Sequence, residues 1–95
     1  MKRERIFEFY KTEHFLLQQW ERGVENKTLE RVLSYVKVPN TKIAVVAKPA
    51  FLAQKTKIDS KQDLIIIISS DVLVTVYWCN HSEYLLKENE VFYLE

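Results

Sequence analysis

The feature that most constrains the fold is a pair of β-rich runs separated by only three residues. Residues 64–68 are continuously aliphatic, and residues 72–78 are rich in valine and aromatic residues. Ser69, Ser70 and Asp71 between them are residue types that favour turns. Two such runs this close together are expected to pair as an antiparallel hairpin. Because the first run has no polar alternation, both of its faces are expected to be buried, as in a central strand.

The second run alternates between two kinds of side chain. Its valines and Trp78 occupy one set of positions, and Leu73, Thr75 and Tyr77 occupy the other. Successive side chains of a strand point to opposite faces, so one face is predicted to carry both hydroxyl groups.

The chain before this hairpin carries helical signals. Thr12 is a helix-capping residue type, and Leu16, Leu17 and Trp20 share a face because they repeat at spacings of three and four. Gly23 readily adopts the left-handed conformation that ends helices. These signals predict a short helix between the threonine and the glycine.

A second helix is predicted between Asn26, a capping residue type, and Pro39, which disfavours helical geometry in the residue before it. The first helix covers residues 13–22, and the two would pack as an αα-hairpin through a short glycine-containing turn. The amphipathic stripe of the second helix consists of Leu29, Val32, Leu33 and Val36.

The remaining segments give weaker patterns. Residues 41–47 are compact and β-branched, which predicts a core strand. Residues 6–10 fit an edge strand better than a helical turn, and residues 51–58 fit either a strand or a helical turn. Residues 80–87 can form one or two helical turns, and residues 91–94 look extended.

Composition and pattern together predict one α+β domain over residues 1–95. Two N-terminal helices would pack on one face of a mainly antiparallel sheet of about four strands. A chain of 95 residues that is 47% hydrophobic can build one modest core. The apolar run over residues 64–78 is too short and too polar at its middle to cross a membrane. With no signal peptide expected and a lone Cys79, the predicted location is the cytoplasm.

Charge is unevenly distributed along a chain of net charge +1. Residues 1–57 carry twelve Lys and Arg against six Asp and Glu, whereas residues 58–95 carry two against seven. Either the two halves attract each other within the fold, or the first half forms a basic face for an anionic partner such as RNA. The lysines that could follow an RNA backbone, or could be ordinary solvated side chains, are Lys42, Lys48, Lys55 and Lys57.

His14 and Arg22 are the candidates for chemistry on a phosphate. A neutral imidazole can take or give a proton near pH 7, and a guanidinium can hold a phosphate with two hydrogen bonds. Each also has a structural interpretation, His14 as a surface residue of the first helical turn and Arg22 as a cation at a helix C-terminus. Thr75 and Tyr77 could position the phosphate or simply pack within the sheet.

No metal or cofactor is predicted. His14 and His81 are far apart in the sequence, and Cys79 with His81 offers two ligand types where zinc needs at least three. Gly23 is the only glycine, so the chain has no glycine-rich phosphate loop.

Two short motifs resemble a known group of proteins. Residues 14–24, which contain His14, Gln18 and Arg22-Gly23, are similar to the His-Ala-x-x-Arg-x-x-x-Arg-Gly-Ile opening of small bacterial domains of unknown function. These domains are grouped with the barnase/EndoU/colicin/RelE-like RNase toxins. Residues 72–78 look like the Val-x-Thr-Val-Tyr-Trp strand of the same domains. Gln18 stands where those domains have their first arginine.

The resemblance implies metal-independent RNA cleavage, in which a 2′-hydroxyl attacks the adjacent phosphate and leaves a cyclic phosphate. His14 would be the general acid or base, Arg22 the phosphate clamp, and Thr75 or Tyr77 a supporting hydroxyl. It also implies RNA as substrate and an antitoxin or immunity protein as a possible partner.

Two other functions stay open at this stage. The chain could be a non-catalytic module of the same fold that binds RNA or another protein. It could also be an interaction domain that pairs through its aromatic C-terminal residues 91–94.

Overall fold

The computed structural model describes residues 4–52, 62–79 and 90–95. The predicted helical turns over residues 80–87 lie outside the described residues, as does most of the 51–58 segment. In chain order the elements are β1 (Arg5–Ile6), β2 (Phe9–Lys11), α1 (Glu13–Glu21), α2 (Asn26–Leu33), β3 (Lys42–Ala47), α3 (Pro49–Leu52), β4 (Asp63–Ser69), β5 (Val72–Cys79) and β6 (Glu90–Leu94).

The described strands form one sheet of six strands in the order β1-β2-β5-β4-β3-β6. β4 pairs antiparallel with both β3 and β5, which confirms the predicted hairpin and the central position of its first strand. Two pairs are parallel, β2 with β5 and β3 with β6. The α+β class is therefore confirmed, but the sheet is larger and more mixed than the four mainly antiparallel strands predicted.

The extra strands at the N-terminus are too short to produce a visible alternation in the sequence. β1 has two residues and β2 has three, and they pair as a hairpin across Phe7 and Glu8. Phe7 has a φ of 53°, in the left-handed region that most side chains avoid. The predicted edge strand over residues 6–10 is thus a tight turn with a strand on each side.

Both ends of α1 form as the sequence predicts. The Phe15 N–H donates to Thr12 Oγ1 at 2.9 Å, which caps the start of the helix. At the other end the Val24 N–H donates to the Gln19 carbonyl and the Gly23 N–H donates to the Trp20 carbonyl, as in a Schellman motif. Gly23 has a φ of 62°, which this motif requires and which glycine adopts without strain.

α2 places its amphipathic stripe on the sheet. Leu29, Val32 and Leu33 are fully or almost fully buried. The helix ends at Leu33 rather than close to Pro39, so Val36 packs partly buried against the core from the segment that follows. α3 shows that Phe51 and Leu52 form a helical turn, one of the two structures predicted there.

An irregularity in β5 changes which of its side chains share a face. Ile67 pairs with Thr75 and Ile68 pairs with Leu73, so Val74 is an extra residue opposite no partner. Leu73 therefore packs on the same face as Val76 and Trp78. The regular alternation of the sequence predicts it on the face of Thr75 and Tyr77. Thr75 and Tyr77 still share a face, as predicted.

The sheet has two different faces. The helix face carries the main core, to which all three described helices contribute, and on the strands it includes Val45, Ile66 and Val76. The second face has a smaller cluster built on Ala44, Val46, Ile65 and Ile67. No helix in the described part of the chain is long and apolar enough to cross a membrane.

Candidate functional site

His14 and Arg22 both lie exposed on α1 and its C-terminal cap. With Gln18 they form an i, i+4, i+8 row along the helix, and the first and last members lie roughly 12 Å apart along the axis. The position of Arg22 is held through its backbone, because Trp78 Nε1 donates to the Arg22 carbonyl oxygen at 3.0 Å. The backbone of Arg22 is therefore held in place, and its exposed side chain points into solvent.

Thr75 and Tyr77 do not join His14 and Arg22. Phe15 of α1 packs into the core of the helix face, so α1 lies on that face. Thr75 pairs with Ile67, and Tyr77 packs against the cluster of the second face. The backbone of the sheet therefore separates the two hydroxyl groups from α1.

The environment of Tyr77 raises the pKa of its hydroxyl. Burial raises the pKa of Tyr77 above its ordinary value of 10.0, and the nearby Cys79 raises it further. At neutral pH this hydroxyl is a hydrogen-bond donor and not a base.

Two of the four lysines predicted to bind RNA, Lys42 and Lys48, lie in the described residues. Lys42 is exposed at the start of β3, whereas Lys48 follows the end of the same strand, roughly 20 Å away for an extended chain. Lys48 Nζ forms an ion pair with the buried Asp63 at 3.0 Å. Lys55 and Lys57 lie outside the described residues.

A groove beside α1 is a feature that was not expected from the sequence. It has a volume of about 600 Å³ and lies between β2, α1 and the start of α2. Leu16 and Trp20 line one wall, and Lys11, Gln19 and Asn26 line the base. We call it the α1 groove.

The base of the α1 groove is a hydrogen-bonded polar network. Lys11 is only 5% exposed, and its Nζ donates to Asn26 Oδ1 at 2.7 Å and lies 3.4 Å from a Glu4 carboxylate oxygen. Gln19 Nε2 donates to the Val24 carbonyl and to Asn26 Oδ1. The network ties β2, α1 and α2 together. Its only signal in the sequence is that Lys11 follows the buried Phe9 by two residues in β2, so the two side chains point to the same face.

Trp20 is the most exposed large apolar side chain of the described residues, at 81%. Leu17 is three residues earlier on the same helix and is 51% exposed. The apolar stripe predicted on α1 is therefore present, but Leu17 and Trp20 face solvent and Phe15 is the residue that reaches the core. The outer surface of α1, with Leu17 and Trp20 beside the α1 groove, is the candidate functional site.

Comparison of the chain with protein-family models, with curated proteins and with solved structures found no match. The resemblance to the RNase toxin group stays a prediction. Within residues 4–52, 62–79 and 90–95, no group of three or more His, Cys, Asp or Glu side chains lies together in a way that could hold a metal ion.

Proposed function

We propose that this domain is a non-catalytic protein-binding module and that the outer surface of α1 is its contact surface. The observation that carries the proposal is the exposure of Trp20 at the rim of the α1 groove. Tryptophan is enriched among the few residues that dominate binding energy at interfaces, where its loss typically costs about 2 kcal/mol or more. A partner that covers Trp20 would remove this apolar surface from water.

The groove beside Trp20 supplies the shape that such a contact needs. Its volume of about 600 Å³ is large enough for an apolar side chain of a partner protein. Leu16 and Trp20 provide an apolar wall, and hydrogen bonds of Asn26 Oδ1 with Lys11 and Gln19 join the polar side chains of the lining. The contact would thus combine an aromatic anchor with a preformed recess.

The partner we propose is a protein in the cytoplasm. Support for the cytoplasm comes from the lone Cys79, because proteins of oxidising compartments usually use paired cysteines.

Site-specific photocrosslinking in the native host tests this function. A photoreactive benzoylphenylalanine at the neighbouring exposed position 17 should give one adduct of defined mass, and Trp20→Glu in the same chain should remove it. The matched control carries the photoreactive residue at Tyr35, another exposed position, which packs against Phe51 and does not line the groove. Identical adducts from positions 17 and 35, or none from position 17, would contradict the proposal.

RNA cleavage is the second candidate function, and the exposure of His14 and Arg22 on one helix is the observation that favours it. His14 would act as general acid or base on the 2′-hydroxyl or leaving oxygen, and Arg22 would hold the phosphate. The hydroxyls of Thr75 and Tyr77 lie on the other face of the sheet, so this version of the proposal uses His14 and Arg22 alone.

Incubation of the folded protein with total RNA in EDTA tests the second candidate. Cleavage should occur without metal, should disappear in His14→Ala and should persist in His81→Ala, which replaces the only other histidine. Salt-sensitive binding without cleavage, weakened by Lys42→Ala, would instead indicate an RNA-binding module. A folded protein that neither cleaves nor binds RNA would eliminate both.

A further inference from the structure

β6 is an edge strand with features that favour pairing. It is the last strand in the sheet order, and among the described strands it pairs only with β3. It contains no lysine and no proline, the residues that commonly protect strand edges. Phe92 and Tyr93 are 42% and 44% exposed. Within residues 4–52, 62–79 and 90–95, the edge therefore combines backbone groups that have no partner strand with exposed aromatic side chains.

One hydrogen bond shows which backbone groups of β6 point outward. The Lys48 N–H donates to the Leu94 carbonyl oxygen at 2.8 Å, so the backbone groups of Leu94 point toward β3. The N–H and C=O of a strand residue point to the same side, and the side alternates along the strand. The backbone N–H and C=O of Phe92 therefore also point toward β3. The backbone groups of Val91 and Tyr93 point away from β3, at the outer edge of the sheet.

We propose that two copies of this chain pair through β6 in antiparallel orientation, about a two-fold axis at Phe92. In this register Val91 of each copy lies opposite Tyr93 of the other, and each such pair exchanges two N–H···O=C hydrogen bonds. Phe92 lies opposite its own counterpart at a non-hydrogen-bonded position, where cross-strand side chains approach most closely. The two sheets then form one continuous sheet.

The side chains of β6 match this register as well as its backbone does. Phe92 is beside Val45 on the helix face, so the two Phe92 rings would pack together on that face. Val91 and Tyr93 lie on the second face, where each valine meets the tyrosine of the other copy, a favourable cross-strand pair. Glu90 lies opposite Leu94 of the second copy, so no like charges face each other.

The strand is thus complementary to itself, which argues for a second copy as the occupant of this edge. Such a contact is isologous, because the same residues contribute from both sides and two-fold symmetry closes the assembly. The net charge of +1 adds little repulsion between copies. The inference does not depend on the function proposed for α1, which lies on another part of the molecule.

Light scattering of the full chain after size exclusion tests the pairing. From micromolar to millimolar concentration the molar mass should rise toward twice the 11.4 kDa of one chain. Tyr93→Pro removes an N–H that points outward and leaves the bonds to β3, so it should give a monomer with an unchanged circular dichroism spectrum. A wild-type protein that stays monomeric at millimolar concentration would overturn the proposal, and would leave β6 free for a strand of another protein.

Disulfide trapping tests the register and does not need the proline variant to fold. In a Cys79→Ser background, Phe92→Cys places two thiols opposite each other across the axis, at a Cα separation suited to a disulfide. Mild oxidation should convert it to a covalent dimer. Tyr93→Cys in the same background is the matched control and should stay largely monomeric, because its partner position is Val91. Equal trapping of both variants would overturn the register, and no trapping of either would overturn the pairing.

Discussion

The two longer helices use their apolar residues differently. α2 directs Leu29, Val32 and Leu33 into the core, and its exposed residues are polar or charged. α1 buries only Phe15 and presents Leu17 and Trp20 to solvent. The apolar pattern of α2 is fully accounted for by packing, whereas α1 has more apolar surface than the core covers. This excess is the reason for placing the proposed contact surface on α1.

Among these variants, Phe15→Ala should cause the largest loss of stability. A small loss would contradict the contrast between the buried and the exposed residues of α1. Phe15 is fully buried and is the only buried residue of α1, so its loss should lower the free energy of unfolding by about 3–5 kcal/mol. Trp20→Ala should change it by less than about 0.5 kcal/mol, because the side chain is exposed. Urea unfolding measures both. A Trp20→Ala loss as large as that of Phe15→Ala would show that Trp20 supports the fold.

Leu29→Ala should cost about 2–5 kcal/mol, since it leaves a cavity under α2. Glu30→Ala, at the next and exposed position, is the matched control and should leave stability almost unchanged. Thermal unfolding followed by circular dichroism measures the difference. Equal effects at the two positions would mean that α2 does not pack through the face described.

The N-terminal caps of α1 and α2 also differ, and changing them should have smaller effects on stability. Thr12→Ala should lower the free energy of unfolding by about 1 kcal/mol, because Thr12 Oγ1 accepts from the Phe15 N–H. α2 has no side-chain cap at Glu25, so Glu25→Ser should raise stability by up to about 1 kcal/mol. Both changes are measured as shifts of the urea unfolding midpoint, with an unchanged denaturant dependence of the free energy of unfolding (the m-value). A stabilising Thr12→Ala would contradict the capping of α1.

The smallest effect on stability is expected from Tyr77, on the second face of the sheet, at alkaline pH. Below about pH 10 the folded and unfolded chains both keep the Tyr77 proton. Above it the unfolded chain loses the proton first, because the folded-state pKa of Tyr77 is raised, so the free energy of unfolding falls as pH rises. Tyr77→Phe should make this fall shallower, and the free energy of unfolding measured by urea titration at each pH checks it. Parallel pH profiles for wild type and Tyr77→Phe would exclude this linkage.

Much of the fold could be predicted because its signals are local. The run of aliphatic residues in β4 identified a central strand, and Thr12 and Gly23 identified the ends of α1. The short strands β1 and β2 could not be predicted in the same way. With two and three residues they have almost no periodicity, and they exist because β2 can pair with β5.

The candidate site was harder to predict than the fold. His14 and Arg22 could be placed on one helix, but Thr75 and Tyr77 could not be placed relative to them without knowing which face α1 covers. The α1 groove joins Lys11, Gln19 and Asn26 from three elements. Only their packing brings these side chains together, so no spacing in the sequence indicates the groove.

The sequence by itself determined the α+β class, the β4–β5 hairpin and the two longer helices, because capping, turn chemistry and hydrophobic period act within a few residues. The tertiary structure decided which apolar residues are buried. Phe15 reaches the core while Trp20 faces solvent, and the extra residue at Val74 moves Leu73 to the helix face. These outcomes depend on register and packing between distant segments, and local periodicity does not contain that information.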